Sequence, residues 1–216
     1  MASTQSTAKG QQPIQVAAPN FQRLQLHIRG TAPYVQHAFS AKAKAAIRAT
    51  QEAGATAKAR KVRVARDFDA DYREAQHLST GEGWHGIPAS AFRNAIISAC
   101  RTVGYTMTRA KLALMIVADG FDPDGTGLVR ITEGEPVKHE TYARNQTGVV
   151  DLRARPMWQP GWAAVVTIQF DGDMLTASDV TNLMARAGGQ VGIGEGRPDS
   201  PNSNGLGWGL FAIEPS

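Results

Sequence analysis

The part of the chain richest in glycine lies between residues 188 and 209 and reads GGQVGIGEGRPDSPNSNGLGWG. Gly192, Gly194 and Gly196 alternate within it, and Arg197 follows them directly. Glycine allows positive φ angles and a close backbone approach, so several amides can point at one phosphate while the guanidinium adds charge. We therefore predict a functional loop that contacts phosphate. The alternative is a flexible connection in which glycine only relieves steric crowding.

Two common nucleotide-binding motifs do not fit this loop. A nucleotide-hydrolysing phosphate loop needs Gly-Lys-Ser or Gly-Lys-Thr at the start of a helix, and the sequence contains neither tripeptide. The dinucleotide-binding fingerprint would need its third glycine at position 197, which is arginine. The loop also follows a predicted helix, whereas both motifs precede one.

A second candidate for phosphate contact is the basic arm, residues 41–66. It contains eight Lys and Arg residues and one acid, Glu52, for a formal charge of +7. Its apolar residues are mostly alanine, which are too small to anchor it firmly in a core. We expect an exposed, partly mobile arm whose cations release counterions from a nucleic acid. These cations are Lys42, Lys44, Arg48, Lys58, Arg60, Lys61, Arg63 and Arg66.

Charge is distributed unevenly between the two halves of the chain. Residues 1–111 contain 16 Lys and Arg against 6 Asp and Glu, a formal charge of +10. Residues 112–216 contain 7 against 13, a formal charge of −6. This split favours a polyanionic partner for the basic half, and it lets the acidic half of one copy face the basic half of another. The alternative is a protein with an uneven surface charge and no such partner.

Arginine alternates with aromatic residues in a third region. The predicted contacts with nucleic acid there are Tyr142, Arg144, Arg153 and Arg155. An aromatic ring beside arginine suits base stacking, which is worth about 1–3 kcal/mol per base. For Trp158 and the nearby Trp162 we favour a place in the core or in a subunit interface, because tryptophan is mostly buried.

The inventory of catalytic groups is short, and we predict no catalytic residue, no metal and no cofactor. The five histidines lack zinc-ligand spacing, and Cys100 stands among apolar neighbours in a predicted helix, as a core residue does. The run Asp67, Asp69, Asp71 fails as a calcium loop, because Tyr72 stands where glycine is needed. The acids at 119, 122 and 124 suit a hairpin turn. A metal-dependent nuclease stays open, because its carboxylates can come from anywhere in the sequence.

Hydrophobic periodicity predicts an α+β protein. The predicted elements are a strand at 21–30, helices at 41–53 and 88–103, strands at 111–118 and 164–170, a helix at 176–187 and a strand at 208–213. Two insertions are predicted, the basic one at 41–80 and a β-rich, thumb-like one at 120–160, whose residues 128–158 look irregular and partly β. Without them the order is strand, helix, strand, strand, helix, strand. That order is typical of the ferredoxin-like (RRM-like) fold, with two helices on a four-stranded antiparallel sheet.

Several local features refine this plan. Residues 1–20 are expected to be a disordered tail before a single domain at 21–216. The sequence has no apolar run long enough to span a membrane, no secretory signal and one cysteine, which together favour the cytoplasm. Helix boundaries are expected at Ser40, Gly54, Pro88, Gly104 and Gly188, and a capping box at Thr176 and Asp179. Arg93 and Arg101 are expected to be solvated charges.

Short sequence segments near both ends of the chain resemble the RAMP superfamily, the ferredoxin-like backbone subunits of CRISPR effector complexes. These segments are LQLHIRGTAPYV near the start and NLMARAGGQVGIGEGRP with GLGWGLFAI near the end. The segments GIP and AFR between residues 86 and 93, with GIGEGRP, resemble phage-encoded proteins of that shape more closely. The resemblance covers most of residues 21–214. It implies a protein that coats a single strand side by side, with the loop and a thumb-like insertion near the nucleic acid.

One departure from the family shifts the expected contacts. Basic residues are usual inside the family's glycine loop, whereas here Arg197 stands alone with Glu195 nearby. Most phosphate contact is therefore expected from the basic arm. We predict a phage-type protein that binds single-stranded DNA or RNA by homo-oligomerisation in the host cytoplasm, with no enzymatic activity. The alternatives are a phage structural or assembly protein that uses the arm for protein contacts, and a metal-dependent nuclease of the same fold.

Overall fold

The computed structural model describes residues 16–39, 41–52, 66–144, 150–200 and 205–215. Within these ranges the chain is a mixed α/β protein with antiparallel sheets and five α-helices, compatible with the α+β class. The helices are α1 Ala41–Glu52, α2 Phe68–Glu74, α3 Ala89–Ala99, α4 Met107–Ala113 and α5 Ala177–Arg186. The strands are β1 Phe21–Gly30, β2 Tyr34–Val35, β3 Gly86–Pro88, β4 Leu114–Val117, β5 Gly120–Phe121, β6 Gly127–Glu133, β7 Pro136–Arg144, β8 Val150–Trp158, β9 Ala163–Asp171 and β10 Phe211–Ile213.

A seven-stranded antiparallel sheet is built around β9. One edge of β9 pairs along its whole length with β1, and β1 pairs in turn with β10. The other edge is shared, because β4 pairs with residues 167–170 and β6 pairs with residues 163 and 164. Strands β3 and β5 extend the sheet beyond β6.

The alternation that predicted the first strand is confirmed by its pairing. Leu26 lies opposite Val166, and Ile28 lies opposite Ala164, and these side chains are buried on the inner face of the sheet. The outer face presents polar side chains that pair across the strands, for example Arg23 with Gln169. A strand with one buried and one solvated face needs this period of two.

Helices α3 and α5 cover the inner face of the sheet. Phe92 and Ile96 of α3 are fully buried, and Phe92 meets Phe211 of β10 edge to face, with 5.8 Å between ring centroids. Val180 and Met184 of α5 lie one helical turn apart and are also fully buried. This layer is the main core, and Cys100 at the end of α3 is part of it, as predicted.

The capping box of α5 is confirmed, but the predicted end of this helix is wrong. The hydroxyl of Thr176 accepts a hydrogen bond from the amide of Asp179, whose carboxylate accepts one from the amide of Thr176. The helix ends at Arg186 and continues as one wider π-helical turn, Ala187–Val191. Gly188 lies inside this turn. It must be glycine because a Cβ there would stand 2.2 Å from the carbonyl oxygen of Phe211. Close packing explains that glycine, and helix termination does not.

A second, three-stranded sheet has the order β2-β8-β7. Tyr34 of β2 packs against both Trp158 and Trp162, with ring centroids 5.5 Å and 5.4 Å away, and all three side chains are buried. The indole nitrogen of Trp162 donates a hydrogen bond to the carbonyl of Ala32. The two tryptophans are therefore core residues, as the sequence favoured, and they join the second sheet to the first.

The predicted strand at 111–118 is wrong over its first part. Residues 107–113 form α4, and only Leu114–Val117 are extended. Ala110 and Ala113, three residues apart, are buried, whereas Leu112 is 81% exposed. The apolar run therefore contains a helical period as well as a strand.

The β-rich character predicted for residues 128–158 is confirmed, but the irregularity is not, because these residues form the regular strands β6, β7 and β8. Leu128, Val129 and Ile131 of β6 are buried, and β6 belongs to the main sheet. Strands β7 and β8 pair from Pro136 with Trp158 to Arg144 with Val150. Polar residues of this hairpin pair across its two strands. A search for strands by alternating hydrophobic residues does not detect such pairs.

Two arginines of the α3 region are not simple solvated charges. The guanidinium of Arg93 donates hydrogen bonds to the carbonyls of Leu114 (3.1 Å) and Lys111 (2.5 Å), so it joins α3 to the end of α4. Arg101 forms an ion pair with Asp199 at 2.5 Å. Pro88, expected at the first helical position, instead ends β3 directly before α3. Among the described residues, no helix has the length and apolar character needed to cross a membrane.

Candidate functional site

A cleft of about 1030 Å³ opens at the place where four separate parts of the chain meet. Its walls are β2 with the two residues after it, the outer side of α3, the glycine-rich loop after α5, and the hairpin β7–β8. The cleft brings together seven residues that the sequence singled out. They are Tyr142, Arg153, Gly192, Gly194, Gly196 and Arg197, with Glu195 between two of the glycines.

The three alternating glycines are needed for their backbone conformation and for close packing. Gly192, Gly194 and Gly196 have φ angles of 73°, 76° and 75°. A Cβ on Gly194 would stand 2.5 Å from the carbonyl oxygen of Val35, and one on Gly196 would stand 2.5 Å from the indole of Trp208. The loop is thus fitted against β2 on one side and against Trp208 on the other.

The expectation that the amides of this loop can point at a phosphate is wrong for three of them. The amide of Gly192 donates to the carbonyl of Ala187, that of Ile193 to Gly209, and that of Glu195 to Val35. These donors are used to hold the loop in place. Phosphate contact by the loop must therefore come from its side chains and from its other amides.

Arg197 supports the loop from within. Its Nη1 atom donates a hydrogen bond to the carbonyl of Gly194 at 3.0 Å, while the residue still lines the cleft. Two residues later, Asp199 also lines the cleft and accepts the ion pair from Arg101. This pairing lowers the pKa of Asp199 below its usual value.

A cluster of charged groups lies where the hairpin meets the loop. Glu195 approaches Arg153 (Nη1 to Oε1, 3.5 Å), Arg155 (Nε to Oε2, 3.4 Å) and His37 (Nδ1 to Oε2, 3.8 Å). Charge-assisted hydrogen bonds usually measure about 2.7–2.9 Å, so all three contacts are long. Arg155 is buried at 8% exposure, and its Nε and the Oε2 of Glu195 have no hydrogen-bond partner in the described structure.

Burial determines the protonation of this cluster. It lowers the pKa of Arg155, although Glu195 opposes the change, and the guanidinium still stays charged. Burial also lowers the pKa of His37 below 6.5, and the neighbouring Arg155 lowers it further. His37 is therefore neutral at pH 7, where its Nε2 accepts a hydrogen bond from Nη2 of Arg155 at 3.0 Å. The cluster then holds two positive charges and one negative charge.

The hairpin also contributes an exposed aromatic ring to the cleft. Tyr142 lies on β7, directly opposite Leu152 of β8, and Arg153 is the next residue. Its side chain is 75% exposed and lines the cleft. Arg155, which the sequence grouped with these two as a direct contact, lies behind Arg153 and is too deeply buried to reach a ligand directly. The side chain of Arg144 lies outside the described residues.

The floor of the cleft includes polar residues that the sequence analysis missed. Ser90, Asn94 and Ser98 follow one another at a spacing of four on α3, on the side opposite its apolar stripe. This spacing was visible in the sequence, but a polar helix face is normally read as a solvated surface.

Two further polar residues of the cleft are held by buried hydrogen bonds. The side-chain amide of Gln36 donates to the carbonyl of Gly86 and accepts from the amide of His77. The ring Nδ1 of His77 lies 3.0 Å from Asp122, and the other carboxylate oxygen of Asp122 accepts from the amides of Asp124 and Thr126. Burial alone raises the pKa of Asp122, but these hydrogen bonds outweigh it and bring the pKa below its usual value.

Two cations in the described part of the basic arm pair with acids of the same chain. Lys44 forms an ion pair with Asp124, and Arg66 forms ion pairs with Asp71 and Asp151 at 2.6 Å each. Arg48 is exposed on α1. The remaining predicted arm contacts lie outside the described residues, and they are the side chain of Lys42 and the residues Lys58, Arg60, Lys61 and Arg63. The predicted helix boundaries Ser40 and Gly54 also lie outside the described residues.

The described ranges contain no group of three or more His, Cys, Asp or Glu residues that could hold a metal ion. Asp119 and Asp122 instead organise the turn before β6, where Asp119 accepts a hydrogen bond from the amide of Arg130. The turn reading of these acids is therefore confirmed.

No protein-family model matches the chain, and a search of curated proteins finds no significant match. The resemblance to the RAMP superfamily accordingly remains a prediction from the sequence.

Proposed function

We propose that this chain is a single-stranded nucleic-acid-binding protein of phage type, and that the cleft beside the glycine-rich loop receives the strand. The observation that supports this most is the joint placement of Tyr142, Arg153 and Arg197 around one cleft. An exposed aromatic ring and arginines that line the same cleft suit an unpaired base and its phosphate. Residues from the hairpin and from the glycine-rich loop converge there, although the sequence had singled them out for separate reasons.

The cleft suits this role better than the open outer face of the main sheet. In RRM-like proteins that face binds bases through stacked aromatic side chains. Here its middle holds polar side chains that hydrogen-bond to one another, such as Arg23 with Gln169 and Gln25 with Thr167. A base placed on this face would meet no aromatic ring at these positions.

We further propose that the fold is ferredoxin-like and related to the RAMP superfamily. The strands β10, β1, β9 and β4 neighbour one another in that order, all antiparallel, and α3 and α5 connect them on the inner face. That is the order expected when two strand–helix–strand units interlock. The remaining strands then belong to insertions, as does the β7–β8 hairpin beside the cleft.

On this proposal the protein coats its strand through repeated copies in the host cytoplasm, and the basic arm adds phosphate contacts along it. Each contact releases counterions, so the logarithm of the affinity for a single strand should fall with the logarithm of salt concentration by about 0.7 per contact. Several contacts together would make the affinity fall steeply between about 50 and about 200 mM salt.

Fluorescence anisotropy of labelled oligothymidylate and oligouridylate across a salt series tests this function. Replacing Lys58, Arg60, Lys61 and Arg63 by Ala should flatten the salt dependence, and Tyr142→Ala should weaken binding with little change in slope. Arg109→Gln with Lys111→Gln is the matched control, because both residues are exposed on α4 and neither lines the cleft. Binding that does not respond to salt, or an absence of binding, would refute the proposal.

The pairing of described arm residues with acids of the same chain favours one other function. Lys44 with Asp124, and Arg66 with Asp151, are contacts that a neighbouring copy could exchange. A structural or assembly protein of this kind should form a defined oligomer that nucleic acid leaves unchanged in size-exclusion chromatography. A metal-dependent nuclease would instead cut labelled RNA or DNA when Mg²⁺ or Mn²⁺ is added, and intact strands would eliminate it.

A further inference from the structure

The most unusual feature of the cleft is a carboxylate at its centre. A site for phosphate is expected to present cations, yet Glu195 lies within ionic distance of Arg153 and of Arg155. The charged side chains that line the cleft are Arg153, Arg197, Glu195 and Asp199, so their formal charges sum to zero. The lining side chains alone therefore carry no net positive charge while Glu195 remains in place.

The contacts of Glu195 differ from those of a closed structural ion pair. The distances to the two guanidinium groups, 3.5 Å and 3.4 Å, exceed those of good charge-assisted hydrogen bonds. The Nε of Arg155 and the Oε2 of Glu195 are both buried without a hydrogen-bond partner in the described structure. Buried polar atoms are nearly always hydrogen-bonded, so such a pair needs a specific reason.

A displaceable carboxylate supplies that reason. Glu195 stands between Gly194 and Gly196, with its amide fixed to Val35 and its side chain 24% exposed to the cleft. Arg153 is 27% exposed, and its Nε has a second carboxylate, Asp151, at 3.6 Å. Both partners thus reach the cleft surface, and their contact can open without moving the core.

We infer that Arg153, backed by Arg155, forms a site for one phosphate group, and that Glu195 occupies this site as an internal ligand until phosphate displaces it. The inference deepens the proposed function. The identification of the bound phosphate as part of a nucleic acid rests on that function. Arg155 supplies a buried positive charge from behind, and Arg153 makes the direct contact. Neutral His37 accepts a hydrogen bond from Arg155 and fixes the direction of that guanidinium.

Glu195→Gln tests the inference because it removes the charge and keeps the size of the side chain. The first probe is inorganic pyrophosphate, with binding measured by calorimetry on the full chain. We expect the variant to bind about tenfold more tightly than wild type, the gain that one charge-assisted contact gives. With oligothymidylate we expect a gain of the same size at a fixed salt concentration, because the phosphate no longer has to displace Glu195 from Arg153.

Asp199→Asn is the matched control. It also removes one negative charge from the wall of the cleft, but the partner that it releases is Arg101, outside the cleft. It should give a clearly smaller gain than Glu195→Gln. Equal gains would mean that the net charge of the cleft acts alone, and would overturn the inference. The gain should also disappear when Arg153→Gln is added to Glu195→Gln, and a gain that persists would equally overturn it.

The two probes separate this inference from the proposed function. Tighter pyrophosphate binding by Glu195→Gln, with no oligonucleotide binding by any variant, would support the anion site and refute nucleic-acid binding. Oligonucleotide binding by wild type that is unchanged in Glu195→Gln would do the opposite. If Glu195→Gln does not fold, wild type and Arg153→Gln are compared instead, and equal pyrophosphate affinity of these two would overturn the inference.

Discussion

Replacing Gly194 by Ala should destabilise the protein through two separable effects. The residue has a φ of 76°, and the new Cβ would stand 2.5 Å from the carbonyl oxygen of Val35 and 2.7 Å from the ring of Tyr34. A left-handed backbone costs an L-residue about 1–2 kcal/mol. Val35 and Tyr34 are buried and cannot easily retreat, so overpacking should cost about another 1–3 kcal/mol.

Gly207→Ala is the control that isolates the second effect. Gly207 has a φ of 74°, but a Cβ there has no neighbour within 4 Å. It should therefore cost only the backbone term of about 1–2 kcal/mol. Urea denaturation of both variants gives the free energies of unfolding, and we expect Gly194→Ala to be lower by about 1–3 kcal/mol. Equal losses would show that the loop yields to the new methyl group, and that its glycines serve flexibility alone.

Three further results are expected. Burial lowers the pKa of His37 below 6.5, so this residue binds fewer protons in the folded protein than in the unfolded protein. The free energy of unfolding should therefore fall as pH drops through 6.5 towards the pKa of the folded state. In urea denaturation between about pH 8 and about pH 5, His37→Gln should lose less stability than wild type, and parallel losses would contradict this. Arg93→Met removes two hydrogen bonds to carbonyls and should lower the free energy of unfolding by about 1–3 kcal/mol, whereas an unchanged urea midpoint would contradict the bridging role. Burial raises the pKa of the Cys100 thiol, so a thiol reagent should label it slowly in the native protein and rapidly in denaturant, and fast native labelling would contradict its place in the core.

Local patterns predicted the elements that have one clear hydrophobic face. Strand β1 follows from the alternation of Leu24, Leu26 and Ile28, and the start of α5 follows from Thr176 and Asp179. In these places backbone period, capping chemistry and burial all agree, so a short window of sequence is sufficient.

The sequence did not predict helices and strands correctly where tertiary contacts override the local pattern. The run that begins at Lys111 divides into α4 and β4 because the helix packs Ala110 and Ala113 on the core before the strand pairs with β9. Strand β6 joins the main sheet only because the N-terminal end of β9 offers a free edge at Ala163 and Ala164. Neither cause is visible within a dozen residues of sequence.

The residues of the candidate site were better predicted than its geometry. Tyr142, Arg153 and Arg197 were singled out by composition, but only the packing of four segments brings them to one cleft. The partners that decide their charge could not be predicted, because Glu195 meets Arg153 across a separation of 42 residues. The glycines were recognised, while their cause is mainly the closeness of Val35 and Trp208.

The charge of the cleft divides the proposed interface into two parts with different roles. With a lining charge of zero, the cleft cannot supply a large counterion-release term, so on our proposal that term comes from the basic arm. The cleft contributes stacking on Tyr142 and one phosphate contact after Glu195 withdraws. Loss of arm cations should then reduce the salt dependence, and loss of Tyr142 should reduce affinity at every salt concentration alike. A protein that coats a strand without reading its sequence needs both properties, because stacking tolerates any base and phosphates occur at every step.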